Sequence, residues 1–475
     1  MSTEPYSSRG PRSPRPPRGA KPAGPPRTGD RRPPRDDKSR ETRGRDDRGH
    51  KDRRDDRGHD REQRPEKLPL SPTLLRQRVL DVLPTDPLPV IVVKAPSPHP
   101  WIYRKRLGSI GSNARHGDLV ELQLIDGSHF GHGLFNPRAE LSVRMLTRGD
   151  EFPTGQWWAD RVQTAVDVRR KFLNLDKDAS AYRLVHAEAD GLPGVTIDKL
   201  GSIASLEAFS PGMYQRAEAI AKLAAQAAGC DHWIVRPGPA TLEQEGFEGE
   251  SFASPDCPPK TTIEEFGTKF EIDLRTAHKT GFFCDQRENR RRLAQWTQGK
   301  SVLDICCYTG GFGVQAMRLG KAAEVTGVDL DENAIKSARR NAQINKLDMR
   351  FVQADVFHYL RDMAATGRTF DIVVCDPPKF IRHRDERDAG RRKYYDLNRL
   401  ASAVVAPGGL LLTCTCSGLM PADDFVRTVA TAIPADRRAS LLARTGAAAD
   451  HPVALGCLDT EYLHAAWVRM GDPVT

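Results

Sequence analysis

The stretch "LLLTCTCSGLM", residues 410 to 420, is an apolar run that ends on two thiols one residue apart, Cys414 and Cys416, and is then broken by Ser417-Gly418. The chain has nine cysteines among 475 residues and no C-x-x-C pair. Two thiols at a strand mouth therefore admit four chemistries: a redox pair, a metal site, packing, or a nucleophile. Zinc ligands come as Cys or His pairs at short spacing. Neither the adjacent Cys306-Cys307 nor the alternating Cys414/Cys416 offers that, so no metal is expected.

Four carboxylates form the second set. "LDICCYTGGFGVQA" carries Asp304, then Gly310, Gly311 and Gly313, between a strand and a helix. Glycines there let the backbone approach a ligand closely. The turn lacks the Gly-Lys-Ser/Thr of a phosphate loop, and its G-G-F-G is too compact for a dinucleotide fingerprint. Asp329 ends the next strand, where a carboxylate can accept both hydroxyls of a ribose. Asp355 follows the third, placed to meet an adenine edge. Asp376, in "CDPPK", ends the fourth; the two prolines fix the backbone, so its carboxylate and carbonyl face the cleft.

These residues need a scaffold that brings strand ends together. From about residue 266 strands alternate with helices, which predicts an α/β, doubly wound parallel sheet whose ligands sit at the carboxyl ends of its strands. Residues 88–155 are short β-rich runs punctuated by Gly117-Asp118, Asp126-Gly127 and Asn136-Pro137, the pattern of a small β-barrel. Residues 156–265 mix a basic helix, an Ala-rich helix and a hairpin near Leu192-Pro193-Gly194, an α+β linking domain. Residues 1–68 are Arg, Pro and Gly followed by a mixed-charge run, expected to be a disordered tail. It is either a solvated tail or a loose electrostatic RNA arm. A net charge of +9 and a pI near 9.1 favour an anionic partner. No long apolar window predicts a membrane span, and the thin cysteine usage fits a reducing cytoplasm.

The strand-end set Asp304, Asp329, Asp355 and Asp376, with Gly310 and Gly311, resembles the S-adenosylmethionine site of class I methyltransferases. "KTGFFCDQRENRRRL" resembles the entry segment of one branch, in which Lys279, Thr280, Gly281, Asp285, Gln286, Arg287 and Asn289 are motif positions. His99-Pro100-Trp101, Gly117 to Val120, Gly131, Gly133 and Asn136 resemble a PUA domain, an RNA-binding barrel. Once a methyl donor is implied, the cysteines can be read again. Pyrimidine C5 is a poor nucleophile until a thiolate adds to C6, and an acid near N3 must neutralise the charge that develops. "TCTCSGLM" resembles the nucleophile strand of RNA 5-methylpyrimidine methyltransferases. The resemblance makes Cys416 the nucleophile and Asp376 its acid, and leaves Cys414, Cys375 and Cys306 as packing. One departure stands out: many RNA cytosine-C5 enzymes carry a second cysteine after Asp-Pro-Pro, where this chain has Lys379.

Residues 88–475 as a whole resemble the bacterial, PUA-containing 23S ribosomal RNA cytosine-C5 methyltransferases. The family implies S-adenosyl-L-methionine as cofactor and 23S ribosomal RNA as partner, in the cytoplasm, and leaves open the methylated nucleotide, the assembly state of the substrate and homo-oligomerisation. Uracil-C5 or guanine methylation, and an RNA-binding protein with an inactive methyltransferase domain, remain as alternatives. "RHRDERDAGRRKYY", residues 382–395, is expected to flank the cleft as a basic loop, with Arg391, Arg392 and Lys393 on phosphates and Tyr394 or Tyr395 stacked on a base.

Overall fold

The computed structural model describes residues 71–276 and 280–473, all within one compact unit. The tail expected over 1–68 and the motif residue Lys279 lie outside the described residues. Ordered packing begins before residue 88: Leu75 and Leu80 are buried in the first hydrophobic core, and Arg78 pairs with Asp118 at 2.7 Å.

Three larger sheets and a two-stranded hairpin follow one another along the described chain. The first has six strands, in the order Trp101–Tyr103, Leu141–Arg148, His129–Phe135, Leu119–Leu124, Val90–Val93, Leu107–Ile110. Asp126-Gly127 makes the turn between two of them, with Gly127 at φ +82°. The sheet is not built of hairpins alone, since Val90–Val93 runs parallel to Leu119–Leu124. The second sheet has five strands and shares a core with the outer face of the first: Leu119, Leu134 and Leu146 pack with Trp157, Trp158 and Ile197. Asn136 ties the two together, donating to the Glu245 carboxylate at 2.9 Å, and Arg144 pairs with the same carboxylate at 2.8 Å. A hairpin, Lys260–Glu265 with Thr268–Asp273, follows. The 265/266 border expected from the sequence falls in its turn.

The third sheet carries the site. Its strands are β1 (Ser301–Ile305), β2 (Glu324–Asp329), β3 (Arg350–Gln353), β4 (Phe370–Cys375), β5 (Val405–Thr415), β6 (Arg437–Thr445) and β7 (His464–Pro473), in the order 3-2-1-4-5-7-6. β1 to β5 are parallel, as expected; β7 inserts antiparallel between β5 and β6. Five of these seven strands are legible in the sequence; β6 and β7 are not. The helices are α1 (Arg287–Ala294), α2 (Gly311–Arg318), α3 (Glu332–Ile344), α4 (Val356–Ala365), α5 (Arg387–Ala403) and α6 (Ala422–Ala432). Strand side chains alternate between faces, and two cores show it. Leu303, Ile305, Val373, Cys375 and Leu411 point to one; Val302, Val374, Leu410, Leu412 and Cys414 point to the other. Both faces are covered, which is why β1, β4 and β5 read as nearly continuous apolar runs.

Candidate functional site

The strand order reverses between β1 and β4, and the loops after them meet those after β2 and β5. The turn from β1 to α2 is tight: Cys306, Tyr308 and Gly310 all have positive φ, at +58°, +49° and +81°. Gly310 caps α2. At Gly313 a side chain would press on Val325 and Met349 at 3.0 Å, so glycine keeps α2 against β2. The Gly313 N–H donates to Asp304 Oδ2 at 2.9 Å. The other oxygen, Oδ1, is buried with no hydrogen-bond partner. Burial, with Asp376 and Asp329 nearby, pushes the Asp304 carboxyl up to about 8.

Asp329 ends β2 at the lip of this turn. Its Oδ2 accepts from the Tyr308 N–H at 2.8 Å and its Oδ1 from the Asp331 N–H at 3.0 Å. Those bonds fix the carboxylate, and each oxygen retains a further acceptor site. Asp355 follows β3 and is the N-cap of α4, accepting from the His358 N–H at 3.0 Å. The sequence reading did not separate that helix-capping duty from a ligand duty. Thr276 just ahead of the entry segment, Gly281 within it, Tyr308 and Thr309 of the turn, and Asp331 and Asn333 at the start of α3 line one narrow cleft. Asn341 of α3 holds the turn from behind, donating to the Thr309 carbonyl at 3.0 Å.

An orphaned acidic oxygen, a fixed carboxylate at the second strand end and a glycine-capped turn suit S-adenosylmethionine. Asp329 would hold the ribose, Asp355 the adenine edge, and the turn at Gly310 and Gly311 would face the chain that carries the cationic sulfur. Asp304 would meet that positive charge.

Asp376 follows β4. Gln286 donates to its Oδ2 at 3.1 Å. Asn289 donates to Gln286 Oε1 at 2.6 Å, Thr445 to Asn289 Oδ1 at 2.7 Å, and the Trp467 indole to Thr445 Oγ1 at 2.8 Å. The indole can only donate, so the whole relay has one direction and the Gln286 amide turns its N–H toward Asp376. The sequence placed Gln286 and Asn289 as motif positions around the cofactor; in the fold they form the hydrogen-bonded chain that reaches Asp376.

The two cysteines separate cleanly. Cys414 is fully buried in β5, and burial followed by the Asp376 charge pushes its thiol well up. Cys416 lies one residue beyond the strand and is only partly buried. Its neighbours are sealed: Thr415 and Ser417 are both fully buried, and the Ser417 N–H donates to Thr415 Oγ1 at 3.2 Å. Cys375 is fully buried on the opposite face; Cys306 is intermediate, with its thiol raised by burial.

The basic segment is helical where a loop was expected. From Arg387 it is not a loop but α5, with Arg391, Arg392 and Lys393 exposed on its outer side. Tyr394 is fully buried, its hydroxyl 2.8 Å from Ser417 Oγ, its ring against Phe380 and Phe425. It has no face to offer a base, because the helix period turns it inward with Gly390, Leu397 and Ala401.

Among the described residues one triad, His99, Cys457 and Asp459, brings its ligand atoms within 4.8 Å of one another. The Trp101 N–H donates to His99 Nδ1, so the ring proton sits on Nε2 and points at Asp459, 3.3 Å away. That nitrogen has no lone pair for a metal. The Cys457 thiol is pushed up to about 12 by burial, with Glu188 and Asp459 beside it. The triad is a contact between the first sheet and the loop before β7.

A family model for S-adenosylmethionine-dependent methyltransferases matches residues 191–451, and one for a PUA-like domain matches residues 94–148. A ribosomal RNA large subunit methyltransferase I from Aeromonas hydrophila is 37% identical over 380 residues, covering 78% of this chain and 95% of that protein. Its namesake from Shewanella denitrificans is 36% identical over 386 residues, with the same coverage. Among solved structures, a Streptococcus mutans chain named as a SAM-dependent methyltransferase superposes with a TM-score of 0.68 at 21% identity, over 80% of this chain and 99% of that one. A methyltransferase complexed with SAH gives 0.66 at 20% identity, with the same coverage. The fold, the cleft and these matches converge: the chain belongs to the S-adenosylmethionine-dependent methyltransferase family, with a PUA-like domain ahead of its catalytic sheet.

Proposed function

We propose that the protein methylates C5 of a cytosine in 23S ribosomal RNA, in the cytoplasm, through a covalent bond between Cys416 and the base. The ribosomal substrate rests on the names of the relatives. The chemistry rests on one observation above all: of two thiols at the end of β5, the buried one is held protonated and the other, Cys416, is partly exposed.

The cofactor, when bound, supplies a methyl group on a cationic sulfur. The Cys416 thiolate adds through Sγ to C6 of the ring, which breaks its aromaticity and makes C5 enamine-like. Asp376, oriented by Gln286 and entering the step as the carboxylic acid, supplies a proton to the charge that builds at N3. C5 takes the methyl group and loses its proton to a base. The C6–S bond then breaks, N3 gives its proton back, and the thiolate returns. The exposed cations Arg391, Arg392 and Lys393 hold the RNA backbone by charge.

The test is single-turnover methyl transfer to 23S RNA. Cys416→Ala should lose activity at least about 10³-fold with cofactor affinity near normal. Cys414→Ala should keep activity and lose some stability. An active Cys416→Ala enzyme, or a methyl group mapped to a nitrogen, would overturn the proposal.

A further inference from the structure

"YYDLNRL" follows the basic run and takes no part in the chemistry above, yet one of its residues touches both loops that the chemistry needs. Tyr394 is fully buried on α5. Its hydroxyl is 2.8 Å from Ser417 Oγ, and Ser417 is the residue after Cys416. The Phe380 N–H donates to the Tyr394 hydroxyl at 3.4 Å, and the next N–H, Ile381, donates to Ser417 Oγ at 3.2 Å. Two consecutive amides of the Asp376 loop thus each hold one member of a hydroxyl pair. Between those amides and Asp376 lie Pro377, Pro378 and Lys379, of which the two prolines cannot vary φ. The pair is rigidly linked to the acid on one side and to the thiol on the other.

We infer that Tyr394 is a positioning residue: its hydroxyl, with that of Ser417, sets the distance between Asp376 and Cys416. The inference rests on the C5 reading. Its logic is geometric. Acid and thiol must reach N3 and C6 of one ring together, they sit on separate loops, and the hydroxyl pair is a direct tie between those loops. A misplacement of about 1 Å is worth about 100-fold in rate. The ring, packed on Phe380 at 4.8 Å and Phe425 at 5.8 Å, is anchored independently of the hydroxyl, so Tyr394→Phe removes its bonds to Ser417 and to the Phe380 N–H, leaves only the Ile381–Ser417 bond between the loops, and spares the packing.

Steady-state kinetics on 23S RNA, with calorimetry of cofactor binding, provide the test. Tyr394→Phe should lower kcat about tenfold or more, with KM for RNA and cofactor affinity within about twofold. Ser417→Ala, which also removes the Ile381 bond, should lose at least as much, Ser417→Thr should keep most of kcat, and the double variant Tyr394→Phe/Ser417→Ala should lose less than the product of the two single losses, because both break the Tyr394–Ser417 bond. A wild-type kcat in Tyr394→Phe, or losses that multiply in the double variant, would overturn the inference. If Tyr394→Phe does not fold, Ser417→Ala decides it alone. Cys416→Ala runs alongside: if that variant is active, the C5 reading falls and this inference with it; if it is dead while Tyr394→Phe is fully active, the positioning role alone falls.

Discussion

A carboxyl with two other carboxylates nearby is costly to ionise, and Asp304 is in that position. Burial, then the charges of Asp376 and Asp329, raise it to about 8, while the Gly313 N–H pulls the other way. A cationic cofactor favours the ionised form. The affinity for S-adenosylmethionine should therefore rise with pH up to about 8 and level off above it. Below that point each pH unit should cost up to about tenfold. Proton release on binding, measured by calorimetry in buffers of different ionisation enthalpy, checks this. Asp304→Asn should remove the slope. A flat profile between pH 6.5 and 9 would show, on the roughly one-unit spread usual for such groups, that Asp304 does not meet the cation. The residue scale was also where the sequence was most legible. Asp329, Asp376 and Cys416 stand at the carboxyl ends of β2, β4 and β5 or one residue beyond, where strand punctuation put them. What it could not supply was a partner list, because Gln286, Thr445 and Trp467 are distant in sequence and meet only in the fold.

At the scale of elements, α1 has the least hydrophobic sequence of any helix near the site, "RENRRRLA", yet Arg287, Asn289 and Arg290 are all buried. It is stable there because each polar group is matched. Arg287 forms a bidentate pair with Asp450, both bonds 2.9 Å, and Arg290 grips Glu265 at 2.7 Å. Burial would raise Asp450, but His451 and Arg287 outweigh it and hold the carboxyl well below its ordinary range. Removing one partner leaves a buried charge uncompensated. Asp450→Ala should cost about 3–5 kcal/mol in urea unfolding, far more than a surface pair. A loss below about 1 kcal/mol would show that the pair is solvated in solution. The same element scale explains two misreadings. In α5 the stripe exists, at Gly390, Tyr394, Leu397 and Ala401, but the surrounding charges suggested a loop. β6 escaped notice for the opposite reason: it is largely exposed and shows no alternation.

For the whole molecule, the first two sheets share one core and a buried ion pair ties them, so the PUA-like domain is fastened to the chain beside it rather than tethered to it. Turn signals made the strands of that six-stranded sheet legible, whereas Asn136, matched as a PUA residue, also ties the sheet to Glu245. Exposed cations on α5 fit a substrate that wraps the catalytic face. Replacing Arg391, Arg392 and Lys393 together should weaken RNA binding and reduce the salt slope by about 2. An unchanged slope would mean that the helix faces solvent in the complex. The central claim, a covalent bond through one of two neighbouring thiols, has a direct test. RNA carrying 5-fluorocytosine at the target cannot lose the C5 substituent as a proton, so the adduct should accumulate. Digestion and mass spectrometry of the trapped complex should find the nucleotide on Cys416. An adduct on Cys414, or methyl transfer to normal RNA with no adduct on either cysteine, would contradict the account.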